Sequence, residues 1–317
     1  MRGRVAPLDW ARLGSLALIG GGMALPTIGQ PSLFSMAGVL TALVPIAIAW
    51  RAAAGTSLRP AVAWAGVSML LGATVHLAGS LEGTTPGRPV AGHLAYLSTL
   101  AGLSASISVL NARRPGGGAW AILMGLLALV MLVPWLEGTG LARGNGAWGR
   151  LRLESPWTIF YILLVIAGIT NYLPTRYGWP ASVALIGLAV EYAGLCGRIG
   201  SLGVRGRLWP LVPSCFAASA WLAQGIAARS RRADGDLDRL WLWFRDGWGV
   251  VWALRTMERF NKSAEAAGLA VRLGWDGASG DDRGGVELLR GLLRRFADKE
   301  RIESGGQRTE DRFKAET

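Results

Sequence analysis

The chain has 317 residues, 51% of them hydrophobic, with 45 glycines, 15 tryptophans and a formal charge of +12. Only five of its 21 acids, Asp9, Glu82, Glu137, Glu154 and Glu191, precede Arg229, which leaves +10 before that residue and +2 from it onward. A basic protein raises the question of nucleic acid, but here the excess sits in short arginine-bearing segments between apolar runs. That argues against nucleic acid and for the lipid bilayer as the partner.

Eight apolar runs follow one another: Trp10–Ile28, Leu33–Trp50, Ala61–Gly79, Val90–Leu110, Ala119–Leu136, Trp157–Leu173, Ala181–Gly197 and Leu211–Ala228. A hydrocarbon core about 30 Å thick needs about 20 helical residues. Backbone polar groups find no water there, so such runs must be helices. The expected fold class is all-α integral membrane. Residues 1–228 form a bundle of about eight transmembrane helices, 229–302 a small Trp-rich, mainly helical cytoplasmic region, and 303–317 a disordered tail. The first run follows Arg2 and Arg4 like a signal peptide, but without a convincing small-residue cleavage site it reads as a retained span.

Orientation follows from arginine placement. If the N-terminus lies inside, Arg2, Arg4, Arg12, Arg51, Arg59, Arg113, Arg114, Arg176, Arg229, Arg231 and Arg232 face the cytoplasm. Arg88, Arg143, Arg150, Arg152, Arg198, Arg205 and Arg207 face the other side. The imbalance puts both termini in the cytoplasm, in a bacterial cytoplasmic membrane. Trp10, Trp50, Trp120, Trp135, Trp157, Trp179 and Trp209 stand at run ends, where an indole keeps its ring in lipid and its N–H among headgroups. Gly72, Gly168, Gly187 and Gly194 lie inside spans and read as points of close helix approach, as do Gly20, Gly21 and Gly22.

Ionisable residues inside spans are the best functional pointers, because a charge at mid-bilayer costs about 2.5–3.5 kcal/mol on insertion scales. His76 ends the third run and His93 opens the fourth, so both are expected at similar depth on the outer side. Glu191 lies in the outer half of the seventh run, with Arg198 two turns on as a pairing partner, and Cys196 and Cys215 flank the following loop. The histidines read first as hydrogen-bonded packing residues and second as ligands of a metal or of non-covalent haem. Directly packed helices about 8–10 Å apart would have to splay to admit a macrocycle between them. For Glu191 the readings are burial, pairing with Arg198, or proton and cation handling. The cysteines read as apolar fillers or a disulfide.

The outer loop contains Gly146-Ala147-Trp148-Gly149 and then Glu154-Ser155-Pro156-Trp157. Over some twelve residues this resembles the haem-presenting region of cytochrome c assembly proteins. The resemblance implies a haem contact on that face. The family's tryptophan-rich block and Asp-Pro run are missing, however, and Arg150-Leu151-Arg152-Leu153 stand there instead. Aromatic anchoring of the loop to the interface accounts for the same residues.

After Arg229 the periodicity predicts one helix over Asp236–Ala266 with an aromatic face of Trp241, Phe244, Trp248 and Trp252, widened by Trp243. A short strand is expected over Ala270–Leu273 and a second amphipathic helix over Val286–Ile302. Tryptophans on so small a region need cover: the headgroup layer, the chain's own loops, or a membrane-complex partner. No phosphate loop, CxxC, CxxCH, HExxH or Gly-x-Ser-x-Gly is present, so no enzyme class is indicated and covalent c-type haem is excluded. The function expected is an accessory or assembly subunit of a membrane redox or energy-transducing system. A small-solute or proton-coupled transporter and a non-catalytic scaffold are the alternatives.

Overall fold

A computed structural model describes residues 33–82, 90–110, 118–139, 151, 153–196, 209–228, 235–280 and 284–303. The first apolar run, Arg198, the loop around Trp148 and the residues after 303 lie outside the described residues.

Each apolar run within the described residues is helical. The second becomes two helices, α1 (Leu33–Thr41) and α2 (Leu43–Ala52). Pro45 in the first turn of α2 has no N–H to give the Thr41 carbonyl, so the helix breaks at Ala42. Then come α3 (Arg59–Glu82), α4 (Val90–Leu110), α5 (Gly118–Gly138), α6 (Ser155–Thr170), α7 (Gly178–Leu195) and α8 (Leu211–Ala228). Four stretches, Arg59–Ala78, Val90–Leu110, Gly178–Leu195 and Leu211–Ala228, are long and apolar enough to cross a membrane. Met36–Ala52, Gly125–Gly138 and Ser155–Thr170 are shorter apolar helices. The all-α class is observed, with four candidate spans among the described residues where about eight were expected.

Small residues set the packing. The α3–α4 pair makes the most extensive helix contact. At its centre Ser68 Oγ donates to the Ser98 carbonyl (2.7 Å) and Ser98 Oγ returns the bond to the Ser68 carbonyl (2.8 Å). A Cβ on Gly72 would fall 2.7 Å from Pro213 Cβ on α8, and one on Gly187 would fall 2.8 Å from Cys215 Cβ. Gly168 meets Ser106 in the same way, and the Trp209 ring wedges between Gly92 and Gly194. Many large apolar side chains point the other way. Trp64, Val67, Leu70 and Leu77 on α3, Ile122, Leu126 and Leu129 on α5, and Ile159, Leu163 and Ile166 on α6 are all exposed.

The C-terminal region is a second core. It contains α9 (Asp236–Ala266), the antiparallel strands β1 (Val271–Leu273) and β2 (Ala278–Gly280), α10 (Gly285–Leu293) and α11 (Lys299–Glu303). Phe296 is its centre, with ring centroids 4.9 Å from Phe244 and 5.3 Å from Trp252. Two expected elements are corrected. The Asp236–Ala266 helix is broken at Gly249, and the expected Val286–Ile302 helix is split into α10 and α11. In the second case the intervening turn clasps the α2–α3 loop: Ser57 N–H donates to the Phe296 carbonyl and Asp298 N–H to the Gly55 carbonyl, both at 2.8 Å. The strand β2, unforeseen, pairs with β1 in the register Val271 to Gly280.

Contacts between the two regions fall at one end of the bundle, the near end. It is formed by the α2–α3 loop, the C-terminus of α4 and the α6–α7 loop.

Candidate functional site

Two polar constellations stand out, one inside the bundle and one at its near end.

The first grows from one face of α4. His93, Tyr96, Leu100, Leu103 and Ile107 recur at helical spacing and are all buried. His93 packs against the close of α5, where a Cβ on Gly138 would lie 2.8 Å from its Cε1. One turn on, the Tyr96 hydroxyl donates to the Met131 carbonyl at 2.8 Å. Pro134 leaves the Val130 carbonyl of α5 without its helical donor, and the phenol bonds the next carbonyl along, that of Met131. Thr99, fully buried, faces Glu191 of α7. From α6, the Tyr161 hydroxyl lies 3.0 Å from Glu191 Oε2 and 3.2 Å from the Leu188 carbonyl. Tyr192 stacks beside it with centroids 6.2 Å apart. Glu191 has no exposed surface, and among the described residues no Lys or Arg forms an ion pair with it.

This geometry has a chemical consequence. A phenol has one proton and two acceptors within reach here. It can donate to an ionised Glu191, or turn to the Leu188 carbonyl and accept from a protonated Glu191. The site therefore supports both protonation states without moving a heavy atom.

His76 and His93 are both buried. His76 stands eight residues past Ser68 and His93 five residues before Ser98, an axial offset of about 4.5 Å, less than one turn. Between α3 and α4 at that level lie Val75, Ala78, Ala91 and Ala95 in direct contact, so the pair is not splayed. Cys196 ends α7, its sulfur 3.7 Å from the Thr158 hydroxyl. Cys215 packs on Gly187, nine residues before Cys196, or about 13.5 Å along the helix. Both thiols are free, and that separation is too great for a disulfide. Arg198 lies outside the described residues.

The second constellation joins the α6–α7 loop to α9. Gly249 has φ 79° and ψ −176°, a conformation essentially reserved for glycine, and it interrupts the helical ladder. Asn171, buried at the end of α6, fills the break. Its backbone carbonyl accepts from Val250 N–H (2.9 Å), its Oδ1 accepts from Val251 N–H (3.1 Å), and its Nδ2 donates to the Trp248 carbonyl (3.3 Å). A Cβ on Gly249 would overlap the Asn171 carboxamide. Beside it, Tyr172 Oη donates to the Gly247 carbonyl at 3.2 Å. Asp246, buried, lies between two arginines: Arg176 Nε at 3.2 Å and Arg245 Nη2 at 2.8 Å. Arg245 also donates to the Trp275 carbonyl at 2.8 Å.

The aromatic face closes the junction. Trp241, Phe244, Trp248 and Trp252 are all buried within this chain. Trp248 Nε1 donates to Ser57 Oγ and Trp252 Nε1 to the Val109 carbonyl, both at 3.1 Å.

Sequence reasoning missed Tyr96, Thr99 and Tyr161, which look like ordinary span residues, and it missed Asn171, Arg245 and Asp246. One signal was available. Gly247 and Gly249 sit inside a predicted helix, where each glycine costs about 1 kcal/mol relative to alanine. No family model, curated protein or solved structure matches this chain.

Proposed function

We propose that the chain is a multi-pass integral membrane protein of about eight spans, with both termini in the cytoplasm, that couples movement of a small solute to a proton carried by Glu191. Membrane insertion is supported by the four long apolar helices and by the rows of exposed Val, Leu, Ile and Trp on the bundle's outer faces. The orientation is supported by where the C-terminal region sits: the near end is also the end of Arg51, Arg59 and Arg176.

The observation that carries the functional reading is the fully buried Glu191 with the Tyr161 phenol at 3.0 Å. A carboxyl facing the interior of an apolar bundle is costly as an anion, so a partner that accommodates both protonation states points to proton exchange. An accessory or assembly role in a redox system draws less support. It needs a free docking face, and the tryptophans are occupied within the chain. It also needs room for haem, and α3 and α4 meet across alanines at the level of the histidines. A non-catalytic scaffold gives no reason for a buried carboxyl.

The test is infrared difference spectroscopy of the protein in lipid vesicles across a pH step, with a pH-sensitive dye trapped inside. The wild type should show a carboxylic-acid carbonyl band and dye-detected proton uptake under an imposed potential. Both should be lost in Glu191→Gln. Identical spectra and fluxes in the two proteins would overturn the proposal.

A further inference from the structure

The two constellations share a pair of helices. α6 carries Tyr161 and α7 carries Glu191, and the loop joining them is the one that enters the Gly249 break. Within that loop Asn171, Tyr172 and Arg176 reach the consecutive segment Asp246–Val251 of α9. Neither half of this junction arises from local preference. α9 gives up helical continuity to admit the loop, and Asp246 is buried between two arginines. A surface rest would need neither feature.

We infer that the C-terminal region is a latch on the α6–α7 hairpin: with Asn171 seated in the Gly249 break the hairpin is held at its near end, and release of Asn171 frees it to move relative to α4. The latch acts on the proposed proton site, because the Tyr161–Glu191 contact joins the two helices of that hairpin while Tyr96 and Thr99 stand on α4. Asn171 and Gly249 are positioning residues; they touch no reacting group. This regulatory role rests on the reading of Glu191, whereas the mechanical coupling stands without it.

The experiment uses the full chain in lipid nanodiscs and reads amide hydrogen exchange by mass spectrometry, with the Glu191 infrared band recorded in parallel. The first variant is Gly249→Ala, which places a Cβ against the Asn171 carboxamide. The second is Asn171→Cys/Val250→Cys with Cys196→Ser and Cys215→Ser. Its two backbones already touch through the Asn171 carbonyl and Val250 N–H at 2.9 Å, and it can be locked or released by oxidation and reduction within one protein. Opening the latch should raise exchange across α6 and α7 by about tenfold or more, as local opening of a cooperative unit does, and leave α3 unchanged. Oxidising the double-cysteine protein should reverse the rise. Equal exchange in the oxidised and reduced forms, or a rise spread evenly over α3 as well, would overturn the latch. If the latch behaves as inferred but the Glu191 band does not respond to pH, the coupling is real and the proton reading fails.

Discussion

The bundle and the C-terminal region are packed by different rules. In the bundle the closest helix contacts run through small side chains, Gly72, Ser68, Ser98, Gly168 and Gly187 among them, beside a core of Tyr96, Leu103, Met131 and Tyr161, while many large apolar residues such as Leu70, Leu126 and Leu163 face outward. In the C-terminal region the interior is Trp241, Phe244, Trp248, Phe260 and Phe296, and charged residues such as Lys262 and Glu258 are outside. The difference follows from the solvent each region is proposed to meet. Where water surrounds a fold, burying aromatic area is the dominant gain. Where acyl chains surround it, a leucine gains nothing by turning inward, so helices are held by close backbone approach and a few buried polar contacts.

The comparison predicts very different costs for substitutions of similar size. Trp248→Ala should be the most damaging. It removes a side chain stacked on Phe244 at 5.1 Å and bonded to Ser57, at a cost of about 3–5 kcal/mol. Limited proteolysis in detergent should cut the C-terminal region of the variant earlier than that of the wild type. Equal sensitivity would mean that the aromatic core does not anchor it. Gly187→Leu reverses the logic by adding volume where α7 meets α8, and should cost about 1–3 kcal/mol as overpacking. The readout is the melting temperature in detergent, and an unchanged value would show that these helices do not depend on close approach. Ser68→Ala deletes one of the paired α3–α4 bonds and should cost only about 0.6 kcal/mol, the average for such contacts in lipid. A loss of several kcal/mol would show that polar contacts rather than small residues hold the pair.

The smallest effect lies on the water-facing side of α9. Lys262 donates to Glu258 at 2.8 Å one turn away, and this contact holds the Glu258 carboxyl below its ordinary range. A depressed carboxyl contributes stability above its unfolded value, and that contribution is lost as pH falls through the folded value. NMR titration should therefore show Glu258 moving up toward the ordinary range in Lys262→Ala, with the difference shrinking at high salt. A titration that ignores Lys262 would mean that solvent screens this pair completely.

How far the sequence reaches is clear from particular residues. Apolar run length located the helices, with Val90–Leu110 and Leu211–Ala228 bounded as expected. It did so because a long run of apolar side chains has few ways to satisfy its backbone other than a helix. The glycines at 72, 168, 187 and 194 were also legible as contact points, since each lacks the Cβ that would keep a neighbour away. What stayed hidden depends on partners far apart in the chain. Glu191 is visible in the sequence, but its phenol partner Tyr161 looks like any aromatic in a span until α6 and α7 pack together. The break at Gly249 and the split between α10 and α11 could not be read from periodicity, because in each case a loop of the bundle takes over the hydrogen bonds that a continuous helix would have kept. Local pattern determined which segments are helical. Only the tertiary structure decided where those helices open, because opening a helix is tolerable only when another part of the chain satisfies the backbone groups it exposes.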